Sequence, residues 1–408
     1  MCDAVVGISV LSLVNLENNP IVFQSRAEGT GFLISEKHIV TVAHLVLLPL
    51  GLHRIPPPTV SPNFSKNEII VASINNVNGC GKAYTYNLRL IGVDATSDLA
   101  VLEIEETRCE PCSPKLTSCH PILKWGKSRK LGHCDIIKTY ISEANGTFAN
   151  CVVGSVRNPR YVFEGGSSTP ELLSLNLLVG EGAGGAPILN DCCEVVGVLI
   201  GTVPDIGNTI ATSQHAAQRI IRMILCPNSS KAGIEIIKDE FGDFIRLVRS
   251  GLGLITVYND AFGTRLQFPS LTIRQDNNLV CWSELIGLVV LDVLIGSPLT
   301  GTLNIGDIIT HVKVSGTRKS CTKVHQSKNT SCTSIEHKCL ENFSNCFAIG
   351  KYPGQVSIGT ALLEIPPGSV IEIVYRKKSE NFDTCHTTSI STIGIPIDLD
   401  HFVFFGKL

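Results

Sequence analysis

Charge is scarce in this sequence, and what there is nearly cancels. Lys, Arg, Asp and Glu make up 17% of 408 residues, 34 basic against 36 acidic, for a formal net charge of -2. No global basic field exists to attract nucleic acid or an anionic membrane, so neither is expected as a partner. Long apolar runs are missing too. Those present are strand-sized and broken by Gly, Asp or Pro, short of the ~20 residues a membrane-spanning helix needs. Internal repeats are absent, and helical periodicity is rare. Residues 1–15 (MCDAVVGISVLSLVN) lack the basic start of a secretory leader and place Asp3 early, so they read as a first strand.

Cysteine is abundant, at 16 residues, and without a secretory route most thiols are expected to stay reduced. Asn-x-Ser/Thr sequons at Asn63, Asn145, Asn228, Asn329 and Asn342 would matter only in a secreted protein, and they arise readily by chance in Ser/Asn-rich loops. The expectation is an intracellular, cytoplasmic protein. Hydrophobic residues reach 44%, enough for a sizeable core, and the length favours two domains over one.

Short β-like runs fill both halves: Ile69 to Ile74, Leu88 to Val93, Leu99 to Ile104 and Val195 to Ile200. The clearest helix is Ser213 to Leu225 (SQHAAQRIIRMIL), closed by Pro227. With the polar CPNSSK after it, that helix marks a domain end. The expected layout is a first domain over 1–228, a linker over 229–249, a second β-rich domain over 250–395 and a tail over 396–408. Within the second domain, the Cys- and Ser-rich stretch 317–352 reads as an inserted loop.

Three segments of the first half carry chemistry. GTGFLISEKHIVTVAHLV, Gly29 to Val46, runs from a glycine turn through two strands to Ala43-His44. LIGVDATSDLAVLEI, Leu90 to Ile104, sets Asp98 before an apolar run. GEGAGGAPILNDCCEVVGVLIGT, Gly180 to Thr202, is a dense glycine turn followed by a hairpin. A histidine base needs a buried carboxylate to fix its tautomer and stabilise the imidazolium. A glycine turn can offer backbone N–H groups to an oxyanion without side chains in the way.

In this order the three segments resemble the HtrA/Deg family of trypsin-like serine proteases, over residues 4–225. The resemblance implies a mostly β fold of two six-stranded barrels with the site between them. It makes His44 the general base and Asp98 its orienting acid. Two registers are open for the nucleophile. One puts it at Gly184, with Gly182, Ala183 and Gly184 as the oxyanion turn; the other puts it at Ala183 and needs a one-residue shift downstream. Gly184 is favoured, and neither register supplies Ser, Thr or Cys. The resemblance also places Leu178 near the floor of a specificity pocket and Leu199, Ile200 and Gly201 along its wall, though Leu178 reads equally well as core.

Gly287 to Val312 and Ala361 to Lys378 resemble a PDZ domain of the kind that follows the protease in this family, with 317–352 as a departure. Gly251-Leu252-Gly253-Leu254 looks like its carboxylate-binding loop, where successive N–H groups would hold a peptide C-terminus; an ordinary hairpin turn is the alternative. The implied partner is extended or unfolded peptide, and the implied assembly is a homotrimer, which no sequence feature shows. No cofactor or metal is expected. Cys109, Cys112, Cys119 and His120, and likewise Cys321, Cys332, His337, Cys339 and Cys346, have loosely metal-like but irregular spacing, and they read as loop thiols. The function expected is an inactive HtrA-like chaperone, scaffold or regulator. A working endopeptidase, with this chain an inactivated version or a partner in a mixed oligomer, competes with that reading.

Overall fold

The computed structural model describes residues 4–14, 22–47, 68–75, 83–105, 121–142, 149–161, 172–203, 208–227, 233–239, 242–258, 287–294, 296–314, 346–348, 357–363, 365–380 and 384–394. The expected tail, the insertion apart from 346–348, and all but Cys346 of the metal-like Cys and His residues lie outside them.

The first barrel contains β1 (Val5–Val14), β2 (Val22–Leu33), β3 (His38–Thr41), β4 (Glu68–Asn75), β5 (Ala83–Asp94) and β6 (Leu99–Ile104). The order β4-β1-β2-β3-β6 closes through antiparallel pairing of β5 with both β4 and β6. Strand alternation shows in the core. Val6, Ile8 and Val10 of β1, Ile70, Ala72 and Ile74 of β4, and Leu88 and Leu90 of β5 share one buried cluster. β6 is apolar at nearly every position because both its faces are covered. Ala100 and Leu102 fill the barrel, while Leu99 and Val101 face a second cluster shared with the other barrel.

The second barrel is a closed ring of β7 (Ile136–Ser142), β8 (Ala149–Tyr161), β9 (Leu172–Asn176), β10 (Pro187–Leu189), β11 (Val195–Val203) and β12 (Asn208–Ser213). Two helices attend the barrels: α1 (Ala43–Leu47) and α2 (Gln214–Leu225). The Ser213 hydroxyl caps α2 by accepting from Ala216 N, 3.4 Å away. Its face of Ala216, Ala217, Ile220, Ile221 and Ile224 packs into the cluster between the barrels, with Val40, Leu189 and Val198.

The described part of the stretch expected as a linker contains two strands. β13 (Ile234–Asp239) and β14 (Gly242–Leu247) form a hairpin, and β14 adds parallel to β5 through Ile245 opposite Gly92 and Arg246 opposite Val93. The first barrel's sheet thus extends to the threshold of the C-terminal unit. That unit starts with β15 (Ser250–Gly251) and continues with β16 (Leu254–Tyr258), β17 (Leu288–Val293), β18 (Ile308–Val314), β19 (Cys346–Ala348), α3 (Ile358–Ala361), β20 (Val370–Arg376), β21 (Cys385–Ser391) and β22 (Ile393–Gly394). Its sheet runs β16-β17-β18-β20-β21, with β19 also on β18 and β15 paired to β22. Leu254, Leu288, Ile309, Ile358 and Ile373 belong to its separate core. The whole is mostly β: a trypsin-like double barrel followed by a third β unit.

Candidate active site

His44 stands in the first turn of α1, one residue past Ala43, and Val42 and Ala43 before it are buried in the first barrel's core. Asp98 follows a turn of 3₁₀ helix at Ala95–Ser97 and takes left-handed backbone angles, φ 51° and ψ 48°. That kink turns its carboxylate back onto His44. Asp98 Oδ1 accepts from His44 N at 2.8 Å, and Oδ2 lies 2.6 Å from His44 Nδ1. An ionised carboxylate only accepts, so Nδ1 carries the proton and Nε2 faces away. Asp98 is fully buried, and the His44 side chain is 17% exposed. Burial by itself would lower the imidazole pKa, but the Asp98 charge and hydrogen bond outweigh it and hold His44 above its ordinary value.

Gly184 lies opposite Nε2. A Cβ on Gly184 would stand 3.5 Å from His44 Nε2, 3.5 Å from Ile200 O and 3.2 Å from Val42 Cγ2. Ala183, the other register's candidate, has its side chain in the second barrel's core beside Ile137, Leu175 and Ile188. The turn around them is fixed from the first barrel. Thr30 N donates to Gly184 O at 2.9 Å, and Thr30 Oγ1 donates to Gly182 O at 2.8 Å. Gly185 packs so closely that a Cβ would sit 2.0 Å from Thr30 O, at φ +88°, so only glycine fits. With both carbonyls held by Thr30, the N–H groups of Gly182 and Gly184 have no acceptor among the described residues. Such unclaimed donors beside a base are what an oxyanion requires.

The residues expected at the specificity pocket differ in their surroundings. Leu178, read as a floor, is 90% exposed and open to solvent. Leu199 is buried in the second barrel's core, and Ile200 packs with Leu172 and Ile210. Leu199 spends its backbone on the glycine turn, accepting from Gly185 N at 2.8 Å and donating to Ala186 O at 2.9 Å, and Ile200 O is the carbonyl near Gly184. Gly201 is open, with nothing within 4 Å of where its Cβ would be. In the C-terminal unit, Gly251 pairs with Ile393, and Leu252 and Leu254 are buried in its core. Gly253 has φ +64° and meets Ser297, whose Oγ donates to Leu252 O at 2.7 Å. β16, which follows this turn, is an edge strand with β17 as its one neighbour among the described residues.

Two supports escaped the sequence reading. In sequence, Thr30 is one residue of the glycine turn that opens Gly29 to Val46. Arg249, assigned to the linker, is buried and donates through Nε to Asp94 Oδ1 at 3.0 Å and through Nη2 to Asp94 Oδ2. Nη2 also reaches Ser97 Oγ at 3.4 Å, and Nη1 donates to Leu363 O of the C-terminal unit at 2.8 Å. Thr212 Oγ1 of β12 holds Ser97 O at 2.7 Å. The turn that carries Asp98 is thus gripped by two side chains, Arg249 and Thr212. The available clue was a second aspartate four residues before Asp98, for which the sequence reading had no role.

Comparison with known proteins agrees with this geometry. The family model of the trypsin-like peptidase domain matches residues 29–198, which include His44, Asp98 and Gly184. The solved structure of an HtrA-type protease, AlgW with decapeptide, aligns over 97% of both chains at 13% identity and a TM-score of 0.54. No curated protein matches the chain. The chain therefore has the fold of the trypsin-like peptidases, laid out from end to end like an HtrA-type protease.

Proposed function

We propose that the chain is a proteolytically silent HtrA-like serine-protease homologue that binds extended or unfolded peptide, acting as a chaperone, scaffold or regulator. One observation carries this reading: the His44–Asp98 pair faces a position with no side chain, since Gly184 stands 3.5 Å (at its Cβ site) from Nε2. Removing the nucleophile of such a triad costs about a million-fold in turnover, as measured in subtilisin. The N–H groups at Gly182 and Gly184, with no acceptor among the described residues, and the open space beside Gly201 are suited to a peptide main chain. The similar HtrA-type structure was solved with a decapeptide, which supports peptide as the ligand class.

We read the C-terminal unit as PDZ-like. The left-handed Gly253 turn leads into the edge strand β16, a suitable arrangement for adding a peptide strand and holding its terminus. A trimer is the assembly the family resemblance implies.

The test is proteolysis of an unfolded casein-type substrate, together with labelling by a fluorophosphonate probe. The unmodified chain should do neither. Gly184→Ser should gain both, and because its Cβ would press on Val42 Cγ2 at 3.2 Å, Gly184→Ser/Val42→Ala should gain more. Probe labelling of the unmodified chain would sink the silent reading and favour a working endopeptidase.

A further inference from the structure

A second concentration of charge lies outside the His44 site, where the 3₁₀ turn Ser128–Lys130 meets the start of α2. The two elements are locked together. Ser128 N donates to Gln214 Oε1 at 3.0 Å, and His215 N donates to Ser128 Oγ at 3.3 Å. One helical turn on, Arg219 Nη1 donates to His215 Nε2 at 3.3 Å. His215, Arg219 and Arg222 stand at i, i+4 and i+7, a stripe of α2 opposite the Ala216, Ile220 and Ile224 face that packs between the barrels. The imidazole registers the local field. Burial, and then the positive charges of Arg219 and Arg129, push its pKa down to about 3. His215 is therefore neutral, with Nε2 accepting and Nδ1 carrying the proton. The cluster thus offers two guanidiniums and one N–H donor.

Acid is missing from both segments. Residues 121–134 carry Lys124, Lys127, Arg129 and Lys130, and residues 208–227 carry Arg219 and Arg222, without one Asp or Glu in either, in a chain whose charges otherwise nearly cancel. Two acids border these segments, Glu194 beside Gly126 and Asp135 at Gly132, but the charges that act on His215 are those of Arg219 and Arg129. Like charges held this close repel, and an anion between them relieves the repulsion. Two guanidinium forks match a tetrahedral oxyanion, which has an oxygen pair for each, better than a planar carboxylate with one pair. Arg222 lies about 4.5 Å of helical rise beyond Arg219, within reach of a second phosphate of the same molecule. Trp125, the aromatic residue of the turn segment, packs edge-on to Phe32 at 5.8 Å in the cluster between the barrels, so it gives a nucleobase no face to stack on.

We propose that Arg129, His215 and Arg219 form a binding site for a phosphate chain, with one phosphate between the two guanidiniums and the next toward Arg222. The site is separate from the His44 cleft, and it stands whether or not that cleft binds peptide.

The test uses the full chain and sodium tripolyphosphate in titration calorimetry, with orthophosphate and a short oligothymidylate in parallel. Tripolyphosphate should bind, and orthophosphate should bind roughly tenfold more weakly because it cannot reach Arg222 as well. Arg129→Gln and Arg219→Gln should each weaken tripolyphosphate by roughly tenfold. Lys313→Gln and Lys377→Gln, which remove the same charge from the C-terminal unit, should leave it unchanged. In NMR, tripolyphosphate should raise the His215 midpoint from about 3 by about one pH unit or more, since the anion offsets the two guanidiniums. Equal losses in the site and control variants would reduce the binding to bulk charge and overturn the inference. So would absence of binding to the unmodified chain, or a His215 midpoint that does not move. Tighter binding of the oligothymidylate than of tripolyphosphate at the same salt reassigns the surface to nucleic acid and likewise overturns it.

Discussion

At the scale of residues, one hydrogen-bonded pair sets the electrostatics of the cleft. Burial and Asp98 pull the His44 pKa in opposite directions, and Asp98 wins. Asp98→Asn removes the winning side and leaves the burial. The His44 midpoint should then drop below its ordinary 6.5, as read from imidazole NMR shifts against pH. Linkage fixes the consequence for stability. In the native chain the raised midpoint adds stability that is fully present below the unfolded value and fades as pH rises through the folded one. In the variant the sign reverses, and acidification from neutral pH should weaken the fold. An Asp98→Asn midpoint at or above that of the native chain would contradict this account.

At the scale of elements, what the sequence revealed was mostly local. The helix read over Ser213 to Leu225 is α2, with Ser213 as its cap, because capping and 3.6-residue periodicity need no distant partner. The strands read at Ile69, Leu88, Leu99 and Val195 were legible from their local apolar runs, although each is completed by pairing with other strands. The pairing of β13 with β14 went unread, although both carry apolar residues such as Ile234, Phe244 and Leu247. The parallel partner of β14, β5, lies about 150 residues upstream, and parallel pairing over such a distance leaves no local signature. Leu178 was misplaced for another reason: spacing from Gly184 predicts a position along the chain, and it cannot say whether a wall forms around it. α2 also carries a stability prediction. Ile220 is fully buried where both barrels meet, so Ile220→Ala should cost about 2–5 kcal/mol in denaturant unfolding, at the scale of a core cavity.

At the scale of the whole molecule, the buried Arg249–Asp94 pair ties the C-terminal unit to the turn that carries Asp98. Arg249→Met would strand the Asp94 carboxylate in a dry site and should destabilise the fold by about 3–5 kcal/mol. The exchange Arg249→Met/Asp94→Leu replaces both charges with apolar groups and should recover most of that loss. The two effects separate in NMR. Even with stability regained, the His44 midpoint should fall, since Arg249 no longer steadies Ser97 beside Asp98. An unchanged midpoint in the folded double variant would limit Arg249 to a structural role. Leu363, whose carbonyl accepts from Arg249, buries its side chain in the cluster between the barrels. Barrel and C-terminal unit are therefore joined through packing as well as charge.

The parallel seam of β14 on β5 bears on how two sites on one chain can be used together. A flexible tether lets two binding surfaces search for each other, and a ligand spanning them tolerates many lengths. A strand sewn into the barrel wall restricts that search, and under the peptide-binding reading proposed above the span between the Gly184 cleft and the β16 edge becomes a ruler. A single polypeptide gripping both places must then match one length, with avidity lost steeply on the short side and slowly on the long side.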